Sequence, residues 1–363
     1  MLVILSDLME VAMAEDVYER LARHLDEALV GAPMSPTLME IVEILYPGEE
    51  AEVACSLSFF DAKAVAECEE MMPEKAGRLA GILDSMAHRG TVFTEQRPGR
   101  ERVYRLLPSV VGYVEAPYLA GVETPDTRAL APLWKKYVME EYGGEMARGV
   151  PLIRVIPISE SLADGSEVLP FDAISEKLAG MSFMAVGHCP CRQITKMTGE
   201  GCGHELERCM HFGSMGRYFV EMGMARRIEL DEALEILRSA TEEGLVHVCD
   251  NIEGSIGTIC NCCSCCCGFF RASRGLGLKT YSRSNYVARV DPDGCIACGL
   301  CEDRCPVGAV SVDDVAVVDP GVCIGCGVCT PTCGAEDAVR LVLREEVEPP
   351  PDVQAFVTAR LKK

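Results

Sequence analysis

Apolar side chains recur with helical spacing in the first part of the chain and alternate in a strand-like way directly after it. Four amphipathic helices are predicted there, over residues 17–29, 35–46, 61–70 and 73–89. The fourth is expected to stop at Gly90, because glycine readily adopts the left-handed conformation that ends helices. Alternation over 91–95 and 102–106 predicts two strands joined by a turn. The pattern predicts a domain of helices followed by a hairpin, over residues 1–125.

The rest of the chain has a helix-rich middle and a strand-rich end. In the middle, predicted for residues 126–284, helices are expected over 133–142, 171–178 and 217–243, with a strand over 152–157 and a short extended piece starting at 168–170. Short strands are then predicted over 286–290, 309–312, 315–318 and 339–343. A tail, 346–363, carries three prolines and a short helix over 353–361. We expect this helix to pack or fray as a terminal helix, with partner docking as the alternative.

Eight cysteines between residues 295 and 333 form two runs of identical spacing, C-x2-C-x2-C-x3-C. The runs are Cys295, Cys298, Cys301 and Cys305, and then Cys323, Cys326, Cys329 and Cys333. Pro306 follows the first run and Gly334 follows the second. A tight loop with a cysteine at every third position aims three thiolates at one side of an iron–sulfur cube, while the fourth cysteine points to another cube.

This segment resembles the bacterial ferredoxin family that carries two [4Fe–4S] clusters. The resemblance implies a (βαβ)2 domain over 285–345, in which Cys295, Cys298, Cys301 and Cys333 hold one cluster and Cys323, Cys326, Cys329 and Cys305 hold the other. Structural zinc sites are the alternative, but they usually pair two C-x2-C hairpins across a longer loop. Gly334 departs from the family, which usually has proline after the last cysteine.

A second concentration of cysteines lies in the middle of the chain. It contains Cys189, Cys191, Cys202, Cys209, Cys249, Cys260, Cys262, Cys263, Cys265, Cys266 and Cys267. Buried free cysteines usually occur singly, so this density predicts at least one further iron–sulfur centre, with zinc as the competing metal. Cys55 and Cys68 lie far from these motifs and are expected to be ordinary thiols.

The simplest grouping of the central cysteines gives two clusters. Cys189, Cys191, Cys202 and Cys209 are assigned to one, and Cys260, Cys263 and Cys266 to the other. Because adjacent cysteines rarely both reach one cube, Cys249 is a candidate to complete the second cluster. A larger, non-cubane cluster is an alternative, since paired cysteines suit such cores. His188, His204, His211 and His247 are interleaved with these cysteines and are candidate ligands or hydrogen-bond donors, and Arg192 is a candidate partner of a cluster sulfide.

The order of elements in the first 125 residues resembles a winged helix-turn-helix domain. Residues 1–108 contain 10 Lys+Arg and 20 Asp+Glu. Phosphate contacts dominate DNA affinity, so this acidic balance favours protein docking over DNA binding. The segment that would face DNA, 74–105, is locally basic, which keeps DNA binding open.

Composition bounds the class of protein. The chain has 363 residues, 21 cysteines and a formal net charge of −22. It shows no secretory signal at its start and no apolar run of 18 residues, so a cytoplasmic protein is expected. Cysteines in a reducing compartment more often bind metal than form disulfides. The whole layout resembles uncharacterised multi-cluster iron–sulfur proteins of anaerobes.

The predicted fold class is α+β and multidomain. The function expected is electron transfer, in which single electrons pass between an unidentified donor and a partner oxidoreductase through two [4Fe–4S] clusters and one or two central clusters. The alternatives are a redox-sensing transcriptional regulator, a reductase subunit with a substrate-accessible central cluster, and an assembly factor for another metalloenzyme. No dinucleotide or Walker A motif is present, which makes a stand-alone enzyme the weaker interpretation.

Overall fold

The computed structural model describes residues 16–158, 161–162, 174–253, 256–335, 338–344 and 346–361. The chain divides into two compact units, Met1–Tyr113 (unit 1) and Val114–Lys363 (unit 2). The first boundary lies earlier than the predicted residue 125. The middle and C-terminal segments, predicted as separate domains, belong to one unit because they share an apolar core.

In its described residues, 16–113, unit 1 combines five α-helices with a three-stranded antiparallel sheet. The helices are α1 (Val17–Asp26), α2 (Pro36–Leu45), α3 (Glu49–Ala54), α4 (Val65–Met71) and α5 (Leu79–Arg89). The strands are β1 (Lys63–Ala64), β2 (Val92–Glu95) and β3 (Val103–Leu106), arranged in the order β1-β3-β2. The core of the unit is apolar, and its fully buried side chains include Leu21, Leu38, Ile41, Leu83 and Leu106.

Local sequence signals set the ends of these helices. The side chains of Asp16 and Ser35 accept hydrogen bonds from the backbone N–H groups of Tyr18 and Leu38, which begin α1 and α2. The helix predicted over 73–89 is broken, because Gly77 takes a positive φ of 78° between a 3-10 turn and α5. Gly90, with a φ of 85°, ends α5 as predicted.

Unit 2 is built on a seven-stranded sheet, which corrects the prediction of a helix-rich middle. Its strands are β4 (Ile153–Val155), β5 (Met184–His188), β6 (Glu207–Phe212), β7 (Arg226–Ile228), β8 (Val246–Asp250), β9 (Thr258–Cys262) and β10 (Tyr281–Ser282). Their order is β10-β4-β8-β9-β6-β5-β7, and only the β10–β4 pair is parallel. Strand β4 was predicted at 152–157, whereas β6 and β9 escaped prediction because cysteine, histidine and asparagine interrupt their apolar alternation.

Ten helices of unit 2 lie within the described residues. They are α6 (Ala116–Leu119), α7 (Pro125–Tyr137), α8 (Gly143–Met146), α9 (Ile174–Ala179), α10 (Pro190–Met197), α11 (Gly213–Glu221), α12 (Leu230–Glu242), α13 (Gly268–Leu276), α14 (Leu300–Asp303) and α15 (Val353–Leu361). One face of the sheet packs against α9 and α12 through Leu178, Ala233 and Ile236. The opposite face contacts α13 and the C-terminal segment.

The C-terminal segment contains two antiparallel strand pairs. Strand β11 (Tyr286–Val290) pairs with β14 (Val339–Leu343), and β12 (Val310–Val312) pairs with β13 (Ala316–Val318). These four strands agree with the predicted ones to within a residue. The segment is joined to the large sheet by backbone hydrogen bonds, from the N–H of Ile158 to the carbonyl of Cys326 (3.1 Å) and from the N–H of Ser284 to the carbonyl of Ile324 (3.1 Å).

The tail helix α15 packs on unit 2. Its Arg360 is fully buried and donates hydrogen bonds to the carbonyl oxygens of Arg148 (2.8 Å), Val150 (3.1 Å) and Glu145 (2.7 Å). These bonds pair the carbonyl oxygens around α8 with the Arg360 guanidinium. In this structure the helix therefore packs on unit 2 rather than fraying. Across the described part of the chain, every helix is too short or too polar to traverse a lipid bilayer.

Candidate metal centres

The cysteines of the C-terminal segment line two separate cavities. The first, here called the outer cavity, is lined by Cys295, Cys298, Cys301 and Cys333. The second, the inner cavity, is lined by Cys305, Cys323, Cys326 and Cys329. Each cavity therefore takes three cysteines from one run and the last cysteine from the other run. The two are nearly equal in size, with about 290 and 310 Å³ of empty space.

The chemistry of both cavities suits an iron–sulfur cube. Apart from the sulfur atoms, small and branched apolar side chains surround the space, including Val312 and Ala316 in the outer cavity and Val307 and Val310 in the inner one. An apolar wall excludes water from the cluster. Soft thiolate ligands in a set of four are those that such clusters prefer.

Backbone N–H groups point at the cysteine sulfurs. The N–H of Ala309 donates to Sγ of Cys305 (3.1 Å), and the N–H of Ala316 donates to Sγ of Cys295 (3.4 Å). The N–H groups of Leu300 and Gly334 hold the pKa of Cys298 below its usual range. Hydrogen bonds of this kind stabilise negative charge on the sulfurs.

The two cavities differ in their access to solvent. Cys298 is exposed, and it is flanked by exposed apolar residues, of which Ile296 (62% exposed) and Leu300 (46%) are closest in sequence. In the inner cavity, by contrast, Cys323, Cys326 and Cys329 are all buried. An electron-exchange partner can therefore approach the outer cavity directly, whereas the inner cavity faces the protein interior.

Four of the central cysteines converge from two loops. Sγ of Cys202 lies 3.9 Å from Sγ of Cys263 and 3.5 Å from Sγ of Cys266, and Cys265 lies 3.7 Å from Cys266. All four sulfurs lie within 4.8 Å of one another, which is a spacing suited to a metal ion. We call Cys202, Cys263, Cys265 and Cys266 the loop quartet.

Six further central cysteines form a second group, here called the thiol ring. Neighbouring thiols interact in the order Cys189, Cys191, Cys267, Cys262, Cys260, Cys209. The ring closes through the charge interaction of Cys209 with Cys189. Hydrogen bonds from the thiols of Cys191 and Cys262 lower the pKa of Cys267 to about 5. The pKa of Cys260 also lies below its usual value, whereas neighbouring thiols and burial raise the pKa values of the other four ring cysteines.

The large sheet explains how the thiol ring forms. Side chains alternate along a strand, so Cys260 and Cys262 of β9 lie on one face of the sheet. Cys209 of β6 is paired directly with Cys260. Cys189 and Cys267 are the residues that precede α10 and α13, and Cys191 lies in the first turn of α10. The positive ends of both helix dipoles therefore lie beside the ring.

The grouping in the structure differs from the grouping predicted from sequence. Cys202 was expected beside Cys189, Cys191 and Cys209, but it belongs to the loop quartet. Cys260 was expected beside Cys263 and Cys266, but it belongs to the thiol ring. The cause is that β9 ends at Cys262. The cysteines within the strand lie on one face of the sheet, whereas those after it lie in the turn that follows.

Three cysteines lie outside all four groups. Cys249 pairs with Ile259 across β8 and β9, and both pack in the apolar core on the sheet face opposite the thiol ring. The thiol of Cys249 donates to the carbonyl of Asp250 (3.3 Å). In unit 1, the thiol of Cys55 interacts with the carbonyl of Val17 (3.9 Å), and burial raises the pKa of Cys68.

A buried arginine lies between the loop quartet and the thiol ring. Arg192 is 2% exposed and donates hydrogen bonds to the carbonyl oxygens of Glu205 (2.6 Å) and Asn261. Burial acts to lower its pKa, but interactions with the sulfurs of Cys189 and Cys263 outweigh burial and raise it. Together with the Cys266 thiol, Arg192 lowers the pKa of Cys263 to about 4. It is the cation best placed to balance thiolate charge.

Each of the four central histidines has a polar partner for at least one ring nitrogen. His247 Nδ1 lies 2.6 Å from Oδ1 of Asn261, and its Nε2 lies 2.8 Å from Oγ1 of Thr241. The buried His211 places Nε2 3.3 Å from Sγ of Cys209. His188 contacts Gln193, and His204 contacts Glu243. Of these, His211 is the histidine with direct access to a ring sulfur.

Comparison with known proteins identifies the C-terminal region. A 4Fe-4S binding domain model matches residues 288–311. The chain is 43% identical over 44 residues to "Ferredoxin Fdx8" of Sorangium cellulosum (strain So ce56). That match covers 12% of this chain and 34% of the relative, so it spans about a third of that ferredoxin. No solved structure matches the chain significantly. The C-terminal region is thus ferredoxin-like and binds a 4Fe–4S cluster.

Proposed function

We propose that this chain is a multi-cluster iron–sulfur protein that passes single electrons between a donor protein and a partner oxidoreductase. The outer and inner cavities each hold one [4Fe–4S] cluster, on the four cysteines that line them. The loop quartet and the thiol ring hold further iron–sulfur clusters. The observation that carries the proposal is the crossed arrangement of the two cysteine runs, in which each run lends its last cysteine to the other cavity.

The packing of unit 2 supports a route through the molecule. Cys326 of the inner cavity shares one apolar core with Cys262 and Cys267 of the thiol ring. Val248 and Phe270 belong to the same core. An electron that arrives at the exposed outer cluster passes to the inner cluster and then to the ring. Each step changes the charge of a cluster by one and leaves every covalent bond to the protein in place.

Metal analysis tests this proposal. Protein purified without oxygen should contain iron and acid-labile sulfide in equal amounts, at about 16 irons per chain or more, since the outer, inner, quartet and ring sites each hold at least four. Stepwise chemical reduction should be reversible and should need no substrate. About eight irons with zinc making up the balance would limit electron transfer to the C-terminal clusters and contradict the central part of the proposal.

For unit 1 we propose a winged-helix type of domain that docks a protein. Its helices and the sheet order β1-β3-β2 support that fold type. Most of the basic residues counted for a DNA-facing surface are already paired within the unit. The pairs are Lys75 with Glu52 (2.5 Å), Arg78 with Glu49 (2.7 Å), Arg89 with Glu50 (3.1 Å) and Arg97 with Glu95 (3.0 Å). Three of these acids belong to α3, which neutralises the basic segment that DNA would need.

A DNA-binding assay separates docking from regulation. Fluorescence anisotropy with labelled genomic fragments at low salt should give no binding whose strength falls with added salt. Oxidised and reduced protein should behave alike. Salt-dependent binding that changes with the redox state would support the redox-sensing regulator instead.

A reductase subunit is the second candidate function, because one residue that lines a broad open cavity packs against the core that contains ring cysteines. Arg154, Lys279 and Arg283 line the cavity, together with Tyr281 and one acid, Glu348. The Tyr281 ring lies 4.7 Å from that of Phe270, which packs in the core beside the thiol ring. Three cations in a chain of net charge −22 suit a small anionic substrate. Anions that shift the spectrum of a central cluster in wild type, and not in Lys279→Ala, would favour this function.

A further inference from the structure

We infer that the thiol ring holds a single iron–sulfur cluster with more than four irons. The ring consists of Cys189, Cys191, Cys209, Cys260, Cys262 and Cys267. A [4Fe–4S] cube takes four thiolates, one on each iron. Six cysteines gathered around β9 and the starts of α10 and α13 exceed that number, so a cube would leave two of them without an iron.

Burial argues against two idle thiols in the ring. Cys209, Cys262 and Cys267 are between 3% and 8% exposed, and the ring is enclosed by the sheet, α10 and α13. Cys209 is paired across the strands with Cys260, and Cys260, Cys262 and Cys267 pack in one core. These cysteines therefore lie around one site rather than at separate positions in the core.

The frame of the ring argues against two separate cubes. Cys260 and Cys262 project from neighbouring same-face positions of one strand, and Cys189 and Cys191 flank Pro190 at the start of one helix. Neither pair can turn away to face a second centre without breaking β9 or α10. Two cubes would also need eight thiolates, and the ring contains six.

No further cysteine is available as a ligand for the thiol ring. Eight of the 21 cysteines line the outer and inner cavities, four form the loop quartet and six form the ring. The remaining three are Cys55, Cys68 and Cys249. The first two belong to unit 1, and Cys249 lies on the opposite face of the sheet. All six ring thiols consequently serve one centre.

This inference rests on the proposed function in taking the metal to be iron. The test replaces each ring cysteine in turn with alanine in the full chain, and uses Cys249→Ala as the matched control. Cys249 is a buried cysteine of the same sheet that lies outside the ring. Iron per chain is measured by native mass spectrometry without oxygen, and cluster type by Mössbauer spectroscopy.

The wild type should carry more than about 16 irons, because the other three sites account for four each. All six ring variants should lose ring iron or change its spectrum, while the C-terminal clusters and the Cys249→Ala variant remain as in wild type. Where an alanine variant fails to fold, its serine counterpart is compared, and the wild-type iron count decides independently.

Two other outcomes are distinguishable. A wild-type count of about 16, with two ring variants indistinguishable from wild type, would overturn the inference and leave a cube with two spare thiols. Zinc in the ring in place of iron would overturn the inference together with the central part of the proposed function.

Discussion

Gly334 shows how one residue adjusts a cluster site. The ferredoxin family usually has proline after this cysteine, and proline has no N–H. Here the N–H of Gly334 is directed at Sγ of Cys298, which is the exposed cysteine of the outer cavity. The departure from the family therefore adds a hydrogen bond to the sulfur, rather than merely loosening a turn.

Replacing Gly334 with proline should lower the reduction potential of the outer cluster. Loss of the N–H removes a group that stabilises the more negative, reduced cluster. Redox titration followed by EPR measures the potential. Gly334→Ala is the control, because it retains the N–H. Its Cβ would lie 3.8 Å from Sγ of Cys298 and 3.3 Å from Cδ1 of Ile296, an exposed side chain that has room to shift. Equal potentials in the two variants would refute a role for this hydrogen bond.

Arg192→Met should make the central clusters harder to reduce. The change removes the buried positive charge between the loop quartet and the thiol ring. It also removes a donor from the carbonyl of the buried Asn261, at a cost of about 1–3 kcal/mol in folding stability, and from the more exposed carbonyl of Glu205. Arg238→Met is the control, since Arg238 is exposed and pairs with Glu235 and Glu242 on the surface. Potentials that remain at the wild-type value would contradict this role of Arg192.

At the scale of elements, α5 offers two glycines with opposite roles. Gly90 ends the helix with a φ of 85°, where an alanine would be strained. Gly81 lies inside the same helix with open space around its Cα. Gly90→Ala should destabilise α5 by about 1–2 kcal/mol, and Gly81→Ala should stabilise it by roughly 0.5–1 kcal/mol.

Hydrogen exchange of peptides that cover α5 measures both changes in the full chain. Amide protection should fall in Gly90→Ala and rise in Gly81→Ala. The same direction of change in both variants would contradict the assignment of Gly90 as the residue that ends the helix.

The sequence predicted elements well where side chains follow a simple period. The strands of the C-terminal segment and the end of α5 at Gly90 were predicted, because apolar alternation and glycine are local signals. Strand β6 of the large sheet was not predicted, since Cys209 and His211 occupy its alternate positions on the side of the cysteine cluster. The same residues that build the site thus removed the pattern that would have predicted its strands.

At the scale of the whole molecule, the sequence predicted the density of metal ligands but not how they divide. The crossed sets of the C-terminal cysteines followed from the resemblance to ferredoxins. The loop quartet and thiol ring depend on where β9 ends and on which strand lies beside it, and spacing alone contains neither fact. Likewise, nothing in the sequence distinguishes Ile158, Ile324 and Val328 from other apolar residues. In the structure they belong to the core that joins the C-terminal segment to the sheet.

Cys326 of the inner cavity shares that core with Cys262 and Cys267 of the thiol ring, and the account predicts that the clusters proposed for these two sites interact magnetically. EPR spectroscopy of fully reduced protein, compared with Cys326→Ala, tests this claim most directly. Wild type should give a spin-coupled spectrum, and the variant should show simpler, uncoupled signals from the central clusters while α-helix content stays the same. A wild-type spectrum equal to the sum of independent clusters would contradict a continuous electron route from the outer cavity to the ring.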